Sequence, residues 1–206
     1  LTFDVFGTVL DWQTGLAAAC AAEGRHLTSV EFEAVINAQG EIERGEFQPY
    51  ATITATSLEA VLGLSPDSAH RIGERVGEWP PFPDAADALR RLMRIAPCVA
   101  MTNSDRRHGE QAQRGLGLRL SDWVCAEEVR VYKPAAAFWS AVSQRTSIAP
   151  GRHWWHVSAY SDYDLEPARA LGLYTVFVRR PHARPGPADL SVPDLAALAE
   201  VVEQCA

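Results

Sequence analysis

The sequence predicts an α/β fold: a parallel sheet with helices on both faces, interrupted after its first strand by a helical insert. Three observations carry this. From Cys98 onward, apolar runs of strand length alternate with segments of helical spacing, the pattern of successive βαβ units. A single strand-like run, Leu1 to Gly7, stands apart at the start of the chain. Between that run and Pro80, helical spacing recurs with no strand interposed. Residues 1–11 and 80–206 are therefore assigned to an α/β core, and residues 12–79 to a helical domain placed to act as a lid.

Each element follows from local pattern. LTFDVFG reads as a short buried strand ending in a turn, where Gly7 permits tight backbone geometry. Four helices are predicted next, over Gly15 to Glu23, Ser29 to Arg44, Tyr50 to Leu62 and Pro66 to Glu78. Thr28 or Ser29 followed by Glu31, and Ser65 before Pro66, supply helix starts. The proline cluster of WPPFPDAADALRRLMR cannot continue a helix, and Asp84 is placed to cap the one that follows. Then CVAMTNS, DWVCAEEV, HWWHVSA and YTVFVRR read as strands. RRHGEQAQRGLG, AAAFWSAVSQRT and DLEPARALG read as the helices between them. RPHARPGPADLSVPDL is expected to be an exposed connection, leading to a closing helix over Leu195 to Gln204.

Composition narrows the function classes. The chain has 206 residues, 47% hydrophobic and 22% charged, as expected of an ordinary globular protein. A net charge of -7 offers no basic field for tracking phosphates, which argues against nucleic acid or an anionic membrane as partner and favours a small molecule. No apolar run approaches the roughly 20 residues of a membrane span, and no N-terminal stretch resembles a signal peptide, so a cytoplasmic location is expected. Cys20, Cys98, Cys125 and Cys205 are widely spaced and predict neither a zinc site nor a disulfide framework. Lys133 is the only lysine among 19 basic residues, the others being arginines. A solitary lysine in such a chain draws notice, because a guanidinium cannot replace a compact ammonium in every site.

In parallel sheets, ligands bind at the carboxyl ends of the strands. Asp4, Thr102 to Ser104, Lys133 and the pair Asp162 and Asp164 all fall at or just beyond predicted strand ends. A strand-end aspartate before a glycine turn can attack an electrophile and split a displacement into two covalent steps. The loop of VAMTNS can hold an anion on backbone and hydroxyl donors. Lys133 can keep a neighbouring carboxylate ionised and pair with substrate, while one of the two later aspartates can anchor Lys133 or orient water.

FDVFGT, MTNSD, VYKP and SDYDLEPARALG, in that order, resemble the four motifs of the haloacid dehalogenase superfamily, and the helical insert resembles its lid. The likeness extends over nearly the whole chain and implies a Rossmann-like core. It implies that Asp4 is the nucleophile, Thr102 and Asn103 belong to the second motif, Lys133 is the third-motif lysine and Asp164 the fourth-motif acid. Superfamily phosphatases carry an acid two positions after the nucleophile; here that residue is Phe6. An aromatic ring cannot protonate an alkoxide, but a departing halide needs no proton, and Phe6 suits an apolar pocket around a carbon–halogen bond.

The resemblance therefore implies the L-2-haloacid dehalogenase branch. Asp4 would displace halide from a short 2-haloalkanoic acid, and water would release the 2-hydroxy acid from the resulting ester. Thr102 and Asn103 would hold the substrate carboxylate. No cofactor is called for, and the family's pairing of subunits implies a homodimer. Two departures stand out. The family's early lid arginine has no counterpart in VINAQGEIERGEFQPY, where Arg44 is the arginine at hand. Counting back from Asp164, the family's Ser-x-Asn-x-x-Asp places Ala159 at the serine and Ser161 at the asparagine. Of the histidines, His108 and His182 are expected at the surface, and His153 and His156 in core packing. Two alternatives accompany this reading: a magnesium-dependent phosphatase using a different acid, in which Asp4, a backbone carbonyl and Asp164 bind the ion, and a catalytically silent family member that binds a small molecule.

Overall fold

The structure, a computed structural model, describes residues 1–205. Among them, six strands form one parallel sheet in the order β3-β2-β1-β4-β5-β6: β1 Thr2–Phe3, β2 Val99–Thr102, β3 Asp122–Cys125, β4 Trp155–Ser158, β5 Tyr174–Val178 and β6 Leu190–Val192. Register is set by pairs such as Phe3 with Ala100 on one side and Val157 on the other. Every residue of β2, and all but the first of β4 and β5, is buried, so both faces of the sheet are covered, as parallel sheets require. The strand order reverses direction at β1, between β2 and β4, and the crevice beyond their carboxyl ends is where such sheets place ligands.

The chain leaves the sheet after Leu10 and returns at Pro80. Asp11 N–H donates to Pro80 O at 2.7 Å and Phe82 N–H to Val9 O at 2.9 Å, so outgoing and returning strands form one neck. Everything between is helical: α1 Trp12–Ala22, α2 Ser29–Glu43, α3 Tyr50–Leu62 and α4 Pro66–Gly73, then a single 3-10 turn at Val76–Glu78. Helix α1 starts at Trp12 because Asp11 accepts Thr14 N–H, three residues before the expected start. Thr28 and Glu31 close a capping box on α2. The fourth predicted helix is shorter than its pattern: it ends at Gly73, which packs so close to Ala51 O that an added Cβ would lie 2.3 Å from it.

In the core follow α5 Ala85–Met93, α6 Arg106–Leu116, the short α7 Ala126–Val129, α8 Ala136–Thr146, α9 Glu166–Ala170 and α10 Leu195–Cys205. Asp84 sits at the start of α5 without capping it. Its carboxylate instead takes a two-pronged ion pair from Arg180 (2.8 and 2.9 Å) and the N–H of Leu195, tying β5's exit to α10. The proline-rich stretch expected as an exposed connection contains β6, which extends the sheet beside β5. Three residues flanked by prolines leave too short a pattern for period-2 alternation to show. Among the described residues no helix is long and apolar enough to cross a membrane, and all four cysteines are free.

Candidate active site

Asp4 is the first residue past β1, and its own N–H still donates to Val157 O at 3.0 Å, so strand hydrogen bonding fixes where the carboxylate emerges. The turn after it needs a glycine. Gly7 has φ +84, and a Cβ there would lie 2.3 Å from the Tyr160 hydroxyl. The turn brings Thr8 back under the aspartate, where its hydroxyl donates to Asp4 Oδ2 at 2.7 Å and accepts Ala159 N–H at 2.9 Å. Lys133 arrives between α7 and α8. Its side chain is almost wholly buried, and Nζ lies 2.9 Å from Asp4 Oδ1 and 2.9 Å from Asp164 Oδ1. One ammonium thus bridges two carboxylates that would otherwise repel each other in a dry site.

Of the two candidate aspartates past β4, Asp164 makes this contact. Asp162 points outward to Arg184 at 3.2 Å. Asp164 also accepts Ser158 Oγ–H at 2.8 Å and faces His156 Nε2 at 3.2 Å. The serine supporting Asp164 is therefore six residues before it, not five, which corrects the count that pointed to Ala159. Residues Ser161–Leu165 form a π-helical turn, which accommodates one extra residue relative to an α-helical turn and shifts the spacing by one.

His156 departs from a plain packing role. A polar chain runs from Trp154 Nε1–H to Thr2 Oγ1 (2.7 Å), from Thr2 to His156 Nδ1 (2.9 Å), and from His156 Nε2 to Asp164. Burial lowers the pKa of His156 and keeps it neutral, so Nδ1 accepts and Nε2–H donates to the carboxylate. The other histidine expectations need correction too. His108 is fully buried, whereas His153 is exposed and His182 is half-buried against the Phe32 ring.

Burial pushes the Asp4 carboxyl up to about 6, against the pull of Lys133 and the Thr8 hydrogen bond. Asp164 moves the other way: Lys133 and His156 overcome its burial and hold it low. Lys133 is held in its charged form by both carboxylates despite burial. The trio therefore carries one net negative charge when all three groups are ionised.

These residues form the floor of a cavity of about 410 Å³ between the sheet edge and the helical insert. Phe6 is its apolar wall, with Tyr50 and Trp79 rings 5.8 and 5.9 Å from it. Thr102 is buried in the cavity floor, linked to Ser104 at 3.1 Å. Asn103 serves differently from the expected anion donor. Its side-chain amide donates to Glu43 Oε2 (2.9 Å) and Lys133 O (3.1 Å) and accepts Lys133 N–H (2.7 Å), so it clamps the lysine's backbone. Arg44 stands at the exposed rim, paired with Glu41 at 2.8 Å.

Sequence reasoning missed Thr8, Ser158, His156 and Glu43. Thr8 was legible as the threonine of FGT. The others carry no local signal, because each reaches the site through tertiary contact. Glu43 ends α2 inside the cavity, where burial pushes its carboxyl up to about 7.

No family model matches the sequence, and no curated protein sequence matches it. Solved structures do. An L-2-haloacid dehalogenase is 26% identical at a TM-score of 0.82, over 98% of this chain and 97% of its own. A defluorinating L-2-haloacid dehalogenase is 24% identical at 0.83, over 98% and 94%. The L-2-haloacid dehalogenase from Xanthobacter autotrophicus, solved with chloropropionic acid covalently bound, is 18% identical at 0.83, over 100% and 98%. The fold of this chain is that of the haloacid dehalogenase superfamily, in the form its L-2-haloacid dehalogenases take.

Proposed function

We propose that the protein is a hydrolytic dehalogenase of short 2-haloalkanoic acids, with the helical insert as the lid over its site. The observation that carries this reading is the setting of Asp4. It is a buried carboxylate gripped by Lys133 and Thr8 at the foot of a cavity, and the neighbouring wall is the Phe6 ring. Asp4 attacks the halogen-bearing carbon, the carbon–halogen bond breaks, and the halide leaves with the electron pair. Water then attacks the carbonyl of the Asp4 ester and frees the 2-hydroxy acid. Lys133 offsets the charge of Asp4 in the resting site and supports an anionic substrate beside it. Asp164, fixed by Ser158 and His156, holds the lysine in place.

The donors already on the two carboxylates weigh against the magnesium ion of the phosphatase alternative. All four oxygens of Asp4 and Asp164 already accept from protein donors, and Lys133 Nζ occupies the space between the two carboxylates. The Phe6 side chain supplies neither a ligand nor a proton.

The test is halide release from L- and D-2-chloropropionate with and without chelator, alongside hydrolysis of p-nitrophenyl phosphate. Chelator-resistant halide release, abolished in Asp4→Asn, is expected. Phosphate release that depends on added metal, without halide release, would overturn the reading, and inactivity on every substrate would leave the binding role in its place.

A further inference from the structure

The proposed mechanism leaves Glu43, a carboxylic acid of the cavity lining, without a task. Glu43 lines the same space as Asp4, Lys133 and Phe6. Its Oε2 accepts from Asn103 at 2.9 Å, and among the described residues Oε1 has no hydrogen-bond partner and neither oxygen meets a cation. Arg44, the next residue, turns away to Glu41. The groups around Glu43 give it no counter-charge of its own: Asp4, Asp164 and Lys133 together are already net negative, and Tyr50, Tyr132 and Tyr163 are neutral phenols. A second uncompensated negative charge would oppose an anionic substrate in a low-dielectric pocket. The acid form has the opposite effect: it removes that repulsion and adds an O–H donor to the cavity lining.

Resting on the dehalogenase reading, we propose that Glu43 acts in its acid form as the hydrogen-bond donor to the departing halide, which extends the substrate range to 2-fluoroacids. Chloride leaves readily and accepts hydrogen bonds weakly. Fluoride leaves a much stronger bond and is the strongest hydrogen-bond acceptor of the halides, so a fixed donor helps it most. The step balances without proton transfer. Asp4 forms the new carbon–oxygen bond, the carbon–fluorine bond breaks with its electron pair on fluoride, and the proton stays on Glu43 because hydrogen fluoride is the stronger acid. Water completes the cycle at the Asp4 ester.

The experiment measures kcat/KM for 2-fluoropropionate and 2-chloropropionate by ion chromatography of the released halide, from about pH 6 to about pH 9. In the wild type, the fluoride-to-chloride ratio of kcat/KM is expected to fall as Glu43 ionises, by about tenfold per pH unit above about pH 7. In Glu43→Gln, whose amide keeps a donor and the Asn103 contact without titrating, the ratio is expected to be flat. A wild-type ratio that does not change with pH overturns the proposal. It would mean that Glu43 acts on the substrate carboxylate, common to both compounds, or on neither. A ratio that still falls in Glu43→Gln also overturns it. Chloride release without fluoride release at any pH removes the role of Glu43 and leaves the dehalogenase reading standing. Release of neither halide removes both. The wild-type ratio needs no variant, so a flat ratio overturns the proposal even if Glu43→Gln fails to fold.

Discussion

In the proposed mechanism Asp4 attacks only as a carboxylate, and two donors oppose the burial that raises its pKa to about 6. Turnover is therefore expected to fall as pH drops through that value, because the protonated acid is no nucleophile. Thr8→Val removes the hydroxyl that stabilises the ionised form, so the acid limb of the kcat/KM profile should move to higher pH, while Asp4→Asn should lose at least about 10⁴-fold in activity. An acid limb unmoved in Thr8→Val would show that the hydroxyl does not tune the nucleophile. Ser158 acts one step back. Its hydroxyl serves Asp164 at 2.8 Å and accepts Tyr160 N–H at 3.0 Å, so Ser158→Ala leaves two buried groups short of a partner and should cost about 1–3 kcal/mol in urea unfolding. An unchanged midpoint would count against that support. Asp4 stood out in the sequence because it ends a strand before a glycine turn, and Lys133 because it is the only lysine, although it lies between α7 and α8 and not at a strand end. Ser158 did not, since its relation to Asp164 depends on a π-helical turn that no residue type announces.

At the scale of elements, α6 carries a histidine whose surroundings contradict its polar sequence context. RRHGEQAQRG has a strongly polar composition, yet His108 faces inward beneath Gly77, where a Cβ would lie 2.2 Å from His108 O. Burial lowers the His108 pKa from 6.5 to about 4 and keeps the ring neutral. Between those values the unfolded chain binds the extra proton and the folded one does not. The stability contribution is thus complete above about pH 6.5 and is lost as pH falls toward 4, up to about 3 kcal/mol. Asp4 and Glu43, whose pKa values are raised, slope the opposite way, so the effect is isolated by difference. Wild type minus His108→Gln, measured by urea unfolding at about pH 7 and about pH 5, should show the variant losing less on acidification. Equal losses would mean that His108 does not titrate within the fold. The amphipathic pattern of α6 predicted the helix but not which polar residue turned inward, because packing against the insert decides that.

The whole molecule is a sheet and a helical block joined at one neck, and this arrangement was legible because a strand-free interval of helical spacing separates β1 from β2. Short β6 was hidden among prolines, and the contacts that seat the insert on the sheet were hidden altogether, since they join residues far apart in sequence. Asp105 is the clearest of these. It begins α6, yet its carboxylate accepts the N–H groups of Tyr50 and Ala51, at 2.7 and 2.9 Å, and so caps α3 of the insert from the core. The residue before α3 is Pro49, which offers no side-chain cap of its own. Two charge-assisted bonds to a helix N-terminus, both buried, make this contact stronger than an exposed ion pair such as Arg44 with Glu41. Asp105→Ala strands both donors at a cost of about 2–3 kcal/mol, directed at the seating of the insert. Tyr50 also flanks Phe6, so loosening α3 opens the apolar wall of the cavity. Amide exchange at the start of α3 should therefore accelerate while β2 and β4 stay protected, and KM for a 2-haloacid should rise more than kcat falls. Uniform loss of protection across sheet and insert would instead mean that the two open as one unit, and that Asp105 supports the fold as a whole rather than closure over the site.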